Sequence, residues 1–137
     1  MLPDKIKIKT LELVDGSPLE VEKDYFYQFN YNTITALRKA EGMSIAEVSS
    51  LFGELAKPED ERDMEKMAKA NEYFGKFFFH ALTEGQRMIK QPFSLSESDV
   101  QLFLNDPDNY SLTSEVAKSY AESTFKAEDE VDGEKKN

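Results

Sequence analysis

The chain has no cysteine, a single histidine and no long run of apolar residues. Without cysteine there is no disulfide framework, no thiolate metal ligand and no thiol nucleophile, which suits a reducing compartment. No segment approaches the roughly 20 apolar residues of a membrane span, and the beginning of the chain lacks the apolar run of a secretory signal. We therefore expect a protein that stays in the cytoplasm and does not enter a membrane.

Positive charge is also scarce, because 17 lysines and arginines stand against 27 aspartates and glutamates, a formal net charge of −10. Nucleic-acid-binding proteins usually carry a basic patch, since contacts from lysine and arginine to phosphates supply most of their affinity. Here the basic residues are interleaved with acidic ones, as in residues 57–66, which is typical of a solvated helix face. The composition disfavours nucleic acid as a partner and favours contact with other proteins.

No constellation of side chains indicates catalysis. His80 has no histidine or glutamate at metal-ligand spacing, so we interpret it as a structural residue. Carboxylates are abundant, but no pair is singled out as a general acid and base. Residues 106–115 begin like a calcium loop and lack its central glycine, and no glycine-rich phosphate loop occurs. We expect a protein without enzymatic activity, cofactor or bound metal.

The first thirty residues predict an antiparallel β-hairpin. Residues 5–13 alternate apolar side chains with lysine and glutamate, as in a half-buried strand. Residues 15–18, with the letters DGSP, are a strong turn signal. Residues 19–30 return as the second strand. The apolar members of the first strand are Ile6, Ile8 and either Leu11 or Leu13. The aromatic residues that alternate at the end of the second are Tyr25, Tyr27, Phe29 and Tyr31.

Two short helices follow the hairpin. Thr33 offers an N-cap hydroxyl for the first helix, and Gly42 is suited to the left-handed conformation that ends it. Ser44 and Glu47 form the capping box of the second helix. The sequence therefore predicts a strand that leads directly into a pair of helices.

A long helical pattern runs from Pro58 to about Lys90, although Gly85 predicts a break or an end near residues 83–85. A further helix is predicted after the serine-rich residues 94–96, and a last one from about residue 112 to about residue 125. The final stretch has Val131 as its only large apolar side chain, so it cannot offset its ordering entropy by burial.

The fold class is therefore α+β, with an N-terminal antiparallel β-hairpin followed by about five α-helices. We assign residues 1–126 to a single domain and residues 127–137 to a disordered acidic C-terminal tail. The hairpin alone would be marginally stable, so the helices must pack on it.

One alternative for function is a small DNA-binding regulator or antitoxin that uses residues 33–52 as a helix-turn-helix. Against it, Glu41 and Glu47 offset Arg38 and Lys39, so we favour a helical hairpin that covers the sheet. An acidic inhibitor that mimics nucleic acid is a third possibility, which the regular core pattern disfavours.

Aromatic residues point to protein contacts. Phe77, Phe78 and Phe79 project in three directions on a helix, so one of them must leave the main core face. A displaced aromatic side chain is a candidate contact for another protein or another copy of this chain.

The order of these features resembles the tail assembly chaperones of long-tailed bacteriophages and prophages. After the hairpin, an aromatic strand leads into a helix that ends on glycine, then come a capped helix, a hydrophobic helix and a serine-capped helix, and the chain closes on a tail of acidic residues and lysine. These segments read FYQFNYNTITAL, LRKAEG, MSIAEVSSLF, FFHALTEGQR and LSESDVQLFL.

The resemblance implies a non-catalytic protein that coats the tape measure protein and recruits tail tube subunits while the tube polymerises. Such proteins act in the host cytoplasm and are generally absent from the mature virion. Self-association is left open. The residues that we would first test for partner binding are Phe77, Phe78, Phe79, Glu128, Asp129, Glu130 and Asp132.

Overall fold

The computed structural model describes residues 2–54 and 57–135, apart from the side chains of Glu59 and of residues 124–135. Within these residues, two antiparallel strands are followed by five α-helices, so the predicted α+β class is confirmed. The elements are β1 (Asp4–Val14), β2 (Ser17–Tyr27), α1 (Tyr31–Glu41), α2 (Ile45–Gly53), α3 (Met64–Met88), α4 (Glu97–Asn105) and α5 (Tyr110–Lys135).

The hairpin closes through a two-residue turn. Asp15 and Gly16 have φ values of 52° and 82°, and positive φ at both central residues is what a type I′ turn requires. The register pairs Val14 with Ser17 and continues without a slip to Asp4 opposite Tyr27. Side chains on a strand alternate between two faces. The even-numbered residues of β1 therefore share one face with the odd-numbered residues of β2.

Local caps set the ends of α1 and α2. Gly42 takes the left-handed conformation at the end of α1, and Ser44 and Glu47 form the capping box of α2, as the sequence predicts. The predicted N-cap of α1 is wrong, because Asn30 holds that position and Thr33 is the third helical residue. The Thr33 hydroxyl instead donates to the Gln28 carbonyl at 2.5 Å, which ties the helix to the end of the strand.

Helix α3 begins later than the sequence suggests and has no break where one is predicted. A short 3-10 turn at Glu59–Glu61 precedes it, and Asp63 caps its first turn. The predicted break at residues 83–85 does not occur, since α3 continues to Met88. A Cβ at Gly85 would collide with the Phe26 carbonyl group of β2. Gly85 therefore permits close packing between helix and strand, and the lost helix propensity is outweighed by this tertiary contact.

The core lies between one face of the hairpin root and the helices. Phe29, Phe52 and Phe77 meet at its centre, where the Phe52 and Phe77 rings stack with centroids 4.8 Å apart. Tyr120 brings α5 into the same cluster, with its ring centroid 5.2 Å from that of Phe77. The other fully buried large side chains are Ile8, Thr33, Leu37, Phe78, Leu82, Val100 and Val116.

The C-terminal helix differs from the prediction at both ends. It begins at Tyr110, directly after a 3-10 turn at Pro107–Asn109, and its backbone is helical to Lys135. Side chains from residue 124 onward, and Lys136 and Asn137 entirely, lie outside the described residues. The disordered acidic tail at 127–137, and the boundary of the domain at 126, stay predictions.

Candidate protein-binding surface

The distal part of the hairpin extends beyond the helices. We call residues 9–22 the β-arm. Every side chain of the β-arm is exposed except those of Thr10 and Val21, which are half-buried. At about 3.3 Å per residue, each of its strands reaches roughly 20 Å from the packed root of the hairpin. The arm is thus a surface that the domain itself does not cover.

Four large apolar side chains crowd this arm. Leu11 and Leu13 are 76% and 78% exposed, Leu19 is 52% exposed and Val14 is 45% exposed. By the strand register, Val14 and Leu19 continue the face that is buried at the root, while Leu11 and Leu13 lie on the opposite face. Single exposed leucines are ordinary, but several at one projecting tip mark a contact surface for another protein.

Ion pairs hold the two strands of the arm in register. Lys23 Nζ lies 2.8 Å from Glu12 Oε1, and Lys9 Nζ lies 3.7 Å from Glu20 Oε1. Each exposed pair contributes little free energy. Charged side chains on edge strands nevertheless oppose uncontrolled pairing with other chains. The arm therefore presents apolar contacts in a frame of charges that limits aggregation.

The structure places the three predicted phenylalanines mainly inside the domain. Phe77 and Phe78 are fully buried, so the expectation that they meet a partner at the surface is wrong for the folded domain. Phe79 is the member that leaves the core face, yet it packs on the Phe93 ring with centroids 5.5 Å apart. Residues 77–79 therefore contribute to the packing of the domain.

The predicted acidic contacts Glu128, Asp129, Glu130 and Asp132 lie where no side chain is described. Their role in binding a partner stays a prediction.

Helices α1 and α2 form the predicted helical pair across Gly42. Their apolar residues, including Leu37 and Phe52, face the core. Arg38 Nε donates to the Met43 carbonyl at 3.1 Å, so one of the two basic side chains of this segment serves the turn between the helices. The DNA-binding alternative stays a prediction to which the geometry adds no support.

The titratable groups that are perturbed have structural partners. Burial lowers the pKa of His80, which is half-buried beside Phe79. The pKa of the buried Glu54 carboxyl is also lowered, first by the hydrogen bond from Lys57 and then by the backbone N–H of Asp63, 3.0 Å from Oε2. These bonds hold the connection between α2 and α3. No group of three or more metal-ligating side chains converges within the described residues.

Comparison with family models, with curated proteins and with solved structures returned no match. Among the helices described, none combines the length and apolar character needed to cross a bilayer.

Sequence reasoning missed the β-arm, although a signal for it exists. Ile6 and Ile8 occupy even positions of β1, whereas Leu11 and Leu13 occupy odd positions, so the apolar pattern changes face along the strand. A change of face in a strand with no bulge means that both sets cannot enter one core. The change of face therefore predicts that apolar side chains beyond the root are exposed.

Proposed function

We propose that this chain is a non-catalytic tail assembly chaperone of a long-tailed bacteriophage or prophage. In this role it binds the tape measure protein and recruits tail tube subunits during tail morphogenesis. The β-arm, with its exposed leucines at the end of an acidic domain, is the observation that supports the proposal best. The order of hairpin, paired helices and capped helices that resembles the family supports it independently.

The physical demands on such a protein agree with this surface. A chaperone has to offer apolar contacts to an aggregation-prone client without precipitating itself. Four exposed apolar side chains on the arm provide the contacts, and a formal net charge of −10 keeps separate copies apart. The action belongs in the host cytoplasm, before the virion is complete, and involves neither nucleic acid nor a membrane.

The test is co-expression with the long tape measure protein of the same phage or prophage, the client that the proposal assigns to this chain. Expressed alone, that protein should be found in the pellet, and co-expression with the chaperone should move it to the soluble fraction. A double variant, Leu11→Ser with Leu13→Ser, should lose most of this rescue because it removes apolar contacts from the client.

The matched control replaces two exposed apolar residues away from the arm, Ile45→Ser with Met64→Ser, and should rescue as well as the native chain. Circular dichroism on both variants verifies that they fold. If the native chain leaves the long protein in the pellet, the proposed function is wrong. If both double variants rescue equally, the arm is not the contact.

A further inference from the structure

A cleft of about 360 Å³ lies between the base of the β-arm and α4. Leu11 contributes to it from the arm, and Leu102 and Phe103 contribute from the helix. Phe103 is buried, whereas Leu102 is 72% exposed, because successive residues on a helix point about 100° apart. Two exposed leucines from separate elements thus flank one recess that has a buried aromatic side chain beneath it.

The rim of this cleft is negatively charged. Four carboxylates line it, Glu20 on the arm and Asp99, Asp106 and Asp108 at the two ends of α4 and just beyond. The only cation among the lining residues is Lys9, 3.7 Å from Glu20, so the lining carries a net charge of −3. Within the described part of the chain, no three carboxylates are close enough to hold a metal ion. The carboxylates are thus spread along a cleft whose apolar part is formed by Leu11, Leu102 and Phe103.

This charge decides which kind of partner fits. A second copy of the chain would bring another net charge of −10 to an acidic rim, and like charges would oppose docking. A helix with lysine or arginine on both flanks of an apolar stripe matches the recess and the carboxylates on both of its walls.

We propose that the cleft between the β-arm and α4 binds a basic amphipathic helix, whose apolar side chains enter between Leu11 and Leu102. The inference rests on the proposed function, because it assigns such a helix to the client. It is distinct from the end of the arm, where Leu13 and Leu19 lie outside the lining of the cleft. The cleft selects the client by charge, and the tip adds apolar contact.

The first experiment uses two labelled synthetic peptides of the same length and hydrophobic pattern. One combines leucine with lysine, and the other combines leucine with glutamate, both at helical spacing. Fluorescence anisotropy with the full chain should show saturable binding of the lysine peptide that weakens as salt is added. The glutamate peptide should not bind.

Variants then locate the site. Leu102→Ser should weaken binding of the lysine peptide by about tenfold or more, since a leucine contact is lost from the interface. Met64→Ser replaces an equally exposed apolar side chain on α3 and should leave the affinity unchanged. Leu102 is exposed, so its replacement should not unfold the domain, and thermal unfolding of both variants checks this.

A second pair of variants, which have the same net charge as each other, tests the rim. Glu20→Gln with Asp108→Asn removes two rim charges, and Glu65→Gln with Glu72→Gln removes two exposed charges on α3. Asp99 and Asp106 are kept, because their carboxylates cap α4 and the following 3-10 turn. The rim variant should bind the lysine peptide several-fold more weakly than the α3 variant.

The proposal for the cleft is wrong if the two peptides bind equally, or if the two charge variants lose the same affinity for the lysine peptide. It is also wrong if Leu102→Ser binds that peptide as tightly as the native chain does. The chaperone proposal can fail separately. Binding of the lysine peptide at the cleft without rescue of the long protein would disprove the chaperone role alone. Rescue by the native chain that is unchanged in Leu102→Ser would disprove the cleft alone.

Discussion

The root and the arm of one hairpin are made from the same two strands and have opposite environments. At the root, Ile6, Ile8, Tyr25 and Tyr27 are all buried. In the arm, a few residues further along, the leucines are mostly exposed although the register does not change. The difference comes from the helices, which cover the root and stop short of the arm.

This contrast separates two uses of apolar side chains. Burial of a large aliphatic or aromatic side chain contributes roughly 1.5–3 kcal/mol to folding, so the root stabilises the domain. An exposed side chain contributes almost nothing until something covers it. The free energy of burying the apolar side chains of the arm is therefore gained only when a partner covers them.

The largest loss of stability is expected from a substitution at Ile8, in the root. We expect Ile8→Ala to lower the free energy of unfolding by about 2–5 kcal/mol, because it leaves a cavity at a side chain with no exposed surface. Leu13→Ala, five residues along the same strand, should change it by less than about 0.5 kcal/mol. Urea denaturation followed by circular dichroism measures both, and similar losses would mean that the arm is packed in solution.

The contact between helix and strand offers the next largest effect. A side chain at Gly85 would collide with the backbone of β2 at Phe26, so Gly85→Ala should cost about 1–3 kcal/mol of stability from overpacking. Gly53, in α2, has open space around its Cα. Gly53→Ala should be neutral or slightly stabilising, since alanine favours a helix over glycine.

The measurement is again urea denaturation, with the free energy of unfolding obtained from the midpoint and the slope of each transition. A Gly85→Ala protein as stable as the native chain would show that β2 does not rest on α3 in solution. Such a result would also mean that packing on β2 does not explain why α3 continues through Gly85.

Features that depend on a few neighbouring residues could be predicted from the sequence. The turn at Asp15 and Gly16, the left-handed Gly42 and the capping box at Ser44 all appear in the structure. Each is decided by the φ preference of one residue or by a side chain that reaches three residues along the chain.

Features that depend on tertiary contacts were predicted wrongly. Gly85 reads as a helix breaker locally, but its lack of a side chain is what lets α3 approach β2. Tyr31 extends the aromatic alternation in the sequence, but the strand ends at Tyr27 and Tyr31 opens α1 with 71% of its surface exposed. Local patterns do not show which neighbour a residue will meet.

The candidate site could be predicted only in part. The change of face along β1 indicates that Leu11 and Leu13 leave the core. Whether Leu19, which lies on the core face, is covered depends on how far the helices extend along the hairpin, and no local pattern contains that.

Three consecutive aromatics cannot share one helix face, and for that reason the sequence offers Phe77 and Phe78 as candidate contacts. The core proved wide enough to bury both, and only Phe79 was displaced.

The prediction with the smallest effect on stability at neutral pH concerns Tyr27, at the root of the hairpin. Burial raises the pKa of Tyr27 to about 12, with a further contribution from Asp4. The unfolded value is about 10, so the stability linked to the neutral phenol is fully present below pH 10 and is lost as the pH rises towards 12. Tyr27→Phe removes the hydrogen bond between the phenol and Ser119 and should cost only about 1 kcal/mol at pH 7, the typical net value of one hydrogen bond. Between pH 10 and pH 12 the native chain should lose stability that the variant keeps, so the gap between their urea midpoints should narrow. If the urea midpoints of the native chain and the variant change in parallel across that range, the Tyr27 ring is open to solvent. The root would then be no more enclosed than the arm.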